Sequence, residues 1–142
     1  MSVPPESAAR TTPNGTLSLQ TIAMPADTNW NGDIFGGWLM SQMDLAGAVA
    51  ARIRAHGRIT TIAIDSMVFH HPVKIGDVVS CFTVIERIGN TSMKIRIEVW
   101  ETADPTRTPT KLTEGLFTYV AIDEQGKPRP IPAETAPATP AQ

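Results

Sequence analysis

The chain has 142 residues, 42% of them hydrophobic and 18% charged, the balance of one globular domain with a real core. A net charge of −2 gives a nucleic-acid partner no electrostatic support. The single cysteine, Cys81, excludes an intrachain disulfide and a cysteine metal cage, and fits a reducing cytosol.

Residues 1–15 read as an N-terminal tail punctuated by Pro4, Pro5 and Pro13. Its opening Met-Ser-Val-Pro-Pro-Glu-Ser has no apolar signal-peptide core, which predicts a cytoplasmic protein. The folded domain is expected over 16–124. A first strand spans 17–24, a polar loop 26–33, and the only long helix 37–55, with Gly57 as its stop signal. The apolar stretch 38–55 is interrupted by Ser41, Gln42, Asp44, Arg52 and Arg54, so it predicts a core helix and not a membrane span. A second strand follows over 60–69, ended before Pro72. The Ile75-Gly76-Asp77 turn leads into a third strand over 78–88, and Gly89-Asn90 forms a hairpin-like turn.

The strand over 92–101 has the clearest pattern. Met93, Ile95, Ile97 and Val99 alternate with Ser92, Lys94, Arg96 and Glu98, one face buried and the other polar. After a loop with Pro105 and Pro109, the last strand covers 112–122. Residues 125–142, with Pro128, Pro130, Pro132, Pro137 and Pro140, read as a Pro-rich tail. Hairpin-type connections among the last four strands imply an α+β fold in which an antiparallel sheet wraps one long central helix. Such a unit leaves an edge strand and an uncovered face, and dimerisation covers both.

The segment 29–44 carries the chemistry. A polar turn runs into Gly36 and Gly37 and then into the helix. A glycine-led helix start offers backbone N–H groups to an oxyanion. On the helix, Gly37, Ser41, Asp44, Ala48 and Ala51 share one stripe, flanked by Trp38, Leu39, Met43, Leu45, Val49 and Ile53, which suit the concave sheet. Asp44 is the one carboxylate on that stripe. Its plain structural role is a satisfied core aspartate; beside the glycine-led start it also reads as a general base or nucleophile. Gly37 and Asp44 are seven residues apart, ~10 Å along the axis. If both act on one carbonyl, they come from different subunits, packed about a two-fold axis.

Other candidates have weaker patterns. Asn31 suits a turn for local reasons, and Asp33 complements or caps the positive helix end. His56, His70 and His71 have no metal-site spacing and read as structural or surface residues. Cys81 reads as a small core residue. Ser41 and Ser66 belong to no nucleophile elbow or triad motif.

Asn29, Gly32, Phe35, Gly36 and Gly37, spaced Asn-x-x-Gly-x-x-Phe-Gly-Gly, followed by Asp44, resemble the bacterial hotdog-fold acyl-CoA thioesterases. Asp65-Ser66-Met67-Val68-Phe69, Pro72, Gly76-Asp77-Val78 and Phe117-Thr118-Tyr119-Val120-Ala121 agree, so the resemblance covers residues 17–132. It implies hydrolysis of acyl-CoA to a free fatty acid and CoA, with Asn29 and Asp44 as the catalytic pair. It implies that Gly36 and Gly37 polarise the thioester carbonyl, and that the chain forms a homodimer, often assembled as a hexameric trimer of dimers. No metal or cofactor is implied, CoA being part of the substrate. Many relatives have histidine where this chain has Phe35, which removes a candidate acid.

CoA phosphates call for basic groups or exposed N–H donors. Arg58, Lys94, Arg96 and the turn Gly89, Asn90, Thr91 and Ser92 are the candidates, with the segment 127–130 in addition. Lys94 and Arg96 read equally as solvated charges on an open sheet face. Two further functions stay open: a non-catalytic acyl-CoA-binding regulatory module, and a hotdog enoyl-CoA hydratase. The hydratase needs a histidine that is absent at Phe35 and within the helix.

Overall fold

The computed structural model describes residues 12–134. The elements in chain order are β1 (Thr16–Ile22), a 3₁₀ turn (Pro25–Asp27), α1 (Gly36–Ala55), β2 (Ile59–Phe69), β3 (Val78–Ile88), β4 (Ser92–Glu101) and β5 (Thr110–Ala121). The strands form one antiparallel sheet in the order β1-β3-β4-β5-β2. β3 and β4 have the predicted limits, because alternation and a tight Gly89-Asn90 turn are local signals.

The connection from β2 to β3 is not the expected hairpin. β2 pairs with β5 at the far edge, separated from β3 by the two strands β4 and β5. Residues 70–77 therefore carry the chain back across the end of the sheet. The two strands that flank α1 in sequence, β1 and β2, take opposite edges, and the β3–β4–β5 meander fills the space between them.

The core lies between α1 and the sheet. α1 buries Leu39, Met43, Ala46, Gly47, Ala51 and Ala55, and the sheet contributes Cys81, Met93, Ile95, Ile97, Val99, Leu112, Phe117 and Tyr119. Four of the six helix residues are Gly or Ala, so the sheet approaches the helix backbone closely. Leu45, Val49 and Ile53 do not face the sheet as expected; they are 54%, 45% and 73% exposed. Each sits two residues beyond Met43, Gly47 or Ala51, about 200° round the helix from the buried stripe.

β4 keeps its alternation on the core side, yet its polar face is not open. Glu98 and Glu101 are each only 3% exposed, and Trp100 is 1% exposed. Both carboxylates are satisfied by N–H donors, as burial requires. Trp100 Nε1 donates to Glu98 at 2.9 Å. The backbone amides of Val78 and Ala103 donate to Glu101 at 2.7 and 2.6 Å.

The segment assigned to a C-terminal tail after residue 124 is instead tied to the domain as far as Pro132. A bridge joins Ile122 to Pro128. The Ile131 amide donates to the Asn90 carbonyl at 2.8 Å, and Arg54 Nη1 to the Pro132 carbonyl at 2.7 Å. Ile131 packs against the core. Prolines remove ladder donors, but the remaining backbone and side-chain groups hold this segment in place. In the N-terminal tail assignment, the Asn14 amide donates to Glu98 Oε1 at 3.3 Å, while residues 1–11 and 135–142 lie outside the described residues.

Ile95 is fully buried at the centre of the sheet. Ile95→Ala is expected to lower the unfolding free energy by ~2–5 kcal/mol, read as a lower urea midpoint at unchanged slope.

Candidate functional site

The turn before α1 is built around Asn29. Its Oδ1 accepts from the backbone amides of Asn31 at 2.9 Å and Asp33 at 3.1 Å. Its backbone N–H donates to the Asp33 carbonyl at 2.7 Å, and the backbone N–H of Gly32, at a φ of 81°, donates back to the Asn29 carbonyl at 3.0 Å. Glycine is suited to that left-handed position. The local role and the chemical role of Asn29 are thus divided between its two side-chain atoms. Oδ1 is spent on the turn, while Nδ2 donates to nothing among the described residues.

α1 begins without a side-chain cap. Its N-cap residue is Phe35, and no acidic residue lies in the first turn. Asp33, expected to cap or complement this end, does not cap it. The N–H groups of Gly36 and Gly37 remain as orphan donors at the positive end of the helix. A Cβ on Gly37 would meet nothing within 4 Å, whereas one on Gly36 would face the Phe69 ring at 3.5 Å. Beside Gly36 is a cavity of about 350 Å³ walled by Ile34, Phe35, Leu39, Phe69 and Val73, with His70 and His71 at its edge.

Asp44 stands apart from this end, two turns along the helix, and does not line that cavity. Its Oδ1 accepts from Thr61 Oγ1 at 2.6 Å and from the Tyr119 hydroxyl at 3.1 Å. Oδ2 has no hydrogen-bond partner among the described residues. Burial, the Asp44 charge and the hydrogen bond to Asp44 push the Tyr119 phenol well above its ordinary value, so it stays protonated and donates. Thr61 and Tyr119 were not assigned a role from sequence. They are direct partners across β2 and β5, a pairing between residues 58 apart in the chain that no local pattern reveals.

Most of the predicted CoA-binding residues meet at one corner, beyond the C-terminal end of α1. The Ile122 amide donates to the Arg58 carbonyl at 3.0 Å, the Ala121 amide to Thr91 at 2.9 Å, and the Gly89 amide to Ser92 at 2.7 Å. Arg129, from the segment 127–130, joins them by donating from Nε to the Ile122 carbonyl at 2.9 Å. Arg58 spends Nη1 on the Asp123 carbonyl. Lys94 lies just inside β4, one residue from buried Met93 and so on the opposite, outer face. Arg96 is engaged on that outer face with Glu86 and Glu114.

His56 and His70 have defined contacts, and His70 and His71 also line the cavity beside Gly36. His56 is the left-handed C-cap of α1, at a φ of 56°. His70 is 3.3 Å from Glu114. Burial opposes ionisation of Glu114, but hydrogen bonds and charge from Lys111 and His70 outweigh it and hold the carboxyl below its ordinary range. Among the described residues, no group of three His, Cys, Asp or Glu is placed to hold a metal ion, and no helix is long and apolar enough to cross a membrane. Cys81 is fully buried in the core, as predicted, and desolvation pushes its thiol up to about 12. A thiol reagent at pH 8 is expected to leave the folded chain unmodified and to titrate one thiol per chain once urea unfolds it.

Comparison with known proteins agrees with this fold. The model of the thioesterase superfamily matches residues 31–107. The chain is 54% identical over 126 residues to the acyl-CoA thioester hydrolase YciA of Salmonella typhimurium, covering 87% of this chain and 95% of that one. The hexameric thioesterase y2039 from Yersinia pestis has a TM-score of 0.82 at 52% identity, covering 87% of this chain and 100% of that chain. A hexameric hotdog-fold thioesterase of Campylobacter jejuni, Cj0915, has a TM-score of 0.77 at 44% identity, covering 83% and 91%. The curled antiparallel sheet around one long helix is the hotdog fold.

Proposed function

The chain belongs to the thioesterase superfamily, and on that premise we propose that it hydrolyses the thioester of acyl-CoA to a free fatty acid and CoA at an active site composed from two protomers. The observation that carries this is Asp44: a half-buried carboxylate with one oxygen held by two hydroxyls and the other open. The same helix starts with uncapped glycine N–H groups ~10 Å away, too far to serve the same carbonyl within one chain.

In the proposed site the thioester carbonyl rests against Gly36 and Gly37 of one protomer. Their N–H groups and the helix dipole stabilise the oxyanion as it forms. Asn29 adds its Nδ2 as a further donor, its Oδ1 being engaged in the turn. The partner's Asp44 acts either as general base, taking a proton from water as water attacks the carbonyl carbon, or as nucleophile through a mixed anhydride that water then opens. In both routes the carbon–sulfur bond breaks and CoA leaves as thiolate, which needs no metal assistance.

The surface of the protomer supports pairing. β2 is an edge strand with Ile62 58% exposed and Val68 44% exposed, the kind of edge that proteins cover. A homodimer, assembled into a hexamer like the Yersinia and Campylobacter enzymes, is part of the proposal. So are a cytoplasmic setting and contact of the CoA nucleotide with the corner of Arg58 and Gly89, Asn90, Thr91 and Ser92, Lys94 standing at its outer side.

Asp44→Asn is expected to lower thiol release from acyl-CoA by at least ~100-fold with the oligomer intact; unchanged turnover would remove Asp44 from the mechanism, and tight acyl-CoA binding by a wild-type protein that releases no thiol would point to a binding module. The two-protomer arrangement has its own test. Asn29→Asp keeps the acceptor needed by the turn and deletes the amide donor. Dissociating and reassembling inactive Asn29→Asp with inactive Asp44→Asn at equal amounts is expected to restore about a quarter of wild-type activity, because half the dimers are mixed and each has one intact site. No recovery would place all the residues of a site on one chain.

A further inference from the structure

Asp44 projects from α1, but its carboxylate is held from the sheet. The Tyr119 hydroxyl lies 3.1 Å from Oδ1 and 3.0 Å from the carbonyl oxygen of the same residue. The single hydroxyl proton is shared between these two acceptors, and the charged carboxylate is the stronger of them. The ring is fully buried and stacks on Phe117, with centroids 6.3 Å apart, which fixes the line along which the hydroxyl points.

That line passes through position 47. A Cβ there would stand 2.1 Å from the Tyr119 hydroxyl oxygen and 2.7 Å from the ring carbon that bears it. Gly47 has no left-handed backbone that would demand glycine, and glycine in a helix interior is unfavourable. Ile97 Cδ1 would lie 2.8 Å from the same Cβ, so the phenol and Ile97 together require glycine at 47, and the phenol reaches Asp44 by that notch.

We propose that Tyr119 is a positioning residue for thioester hydrolysis: its hydroxyl passes through the Gly47 notch and, together with Thr61, fixes the Asp44 carboxylate by Oδ1 so that Oδ2 alone faces the substrate. The proposal rests on Asp44 as the base or nucleophile. An aspartate rotates freely about χ2, a broad and nearly two-fold torsion. Two hydroxyl donors on one oxygen remove that freedom and make the carboxylate a one-sided base. Because the phenol stays protonated, the restraint persists across the working pH range. Loss of alignment acts on the chemical step, where misplacement by an ångström costs as much as 10²-fold, and leaves substrate binding alone.

The test uses the full chain with Tyr119→Phe, which deletes only the hydroxyl, and Gly47→Ala, which keeps the hydroxyl but takes its space. kcat and KM are measured for the intact oligomer isolated by size exclusion, beside wild type and Asp44→Asn. The expected result is a ~10–100-fold fall in kcat for both variants with KM within about twofold. A Tyr119→Phe enzyme with unchanged kcat, or one whose loss lies in KM, overturns the positioning role. If Asp44→Asn is inactive while Tyr119→Phe is fully active, only the role of Tyr119 falls. If Asp44→Asn retains full turnover, the catalytic assignment falls and Tyr119 falls with it.

Discussion

The close approach of the sheet to one face of α1 is the constraint on which this structure depends. Ala46, Gly47, Ala51 and Ala55 give that face almost no side-chain depth. The sheet therefore comes near enough for a tyrosine of β5 and a threonine of β2 to reach a carboxylate on the helix. A half-buried carboxylate without such donors would be destabilising. With larger residues on that face the sheet would stand further off, and Asp44 would have neither partners nor a defined direction.

The two ends of α1 are finished in opposite ways. The C-terminal end is closed by left-handed His56, by the Gly57 amide bonded to the Arg52 carbonyl, and by Arg52 and Arg54 in the last turn. The N-terminal end has neither a side-chain cap nor an acidic residue. A structural helix would be expected to satisfy both ends. The asymmetry is intelligible if the first N–H groups are kept for a ligand. The division of labour within Asn29 fits the same logic, since an alanine could not hold the turn and a serine could not also offer an amide donor.

Among the described residues, one protomer leaves apolar surface on the helix stripe of Leu45, Val49 and Ile53 and on the β2 edge, as well as at Leu17 and Ile22 of β1 and at Trp30. They lie on surfaces that one curled sheet cannot close over. The chemistry and the packing thus argue in the same direction. The proposed two-protomer site and the exposed apolar surface both call for a second copy.

Local signals were enough to determine much of this. The limits of β3 and β4 follow from strict alternation bounded by a tight turn, and α1 follows from its glycine start and its Gly57 stop. The glycine-led turn and Asp44 stood out as candidates because their residue types and spacing lie within one short segment. The tertiary structure decided the rest, because the rest depends on contacts between distant parts of the chain. Pattern alone could not send β2 to the far edge beside β5, since a hairpin and a crossover look alike in the strands they join. Nor could it show that Glu98 and Glu101 are buried on N–H donors, or that the proline-rich segment is pinned through Ile131. The decisive case is Asp44: the sequence by itself determined that a carboxylate sits on a small-residue helix face, and only the register of Thr61 with Tyr119 decided which of its oxygens is held and which is open.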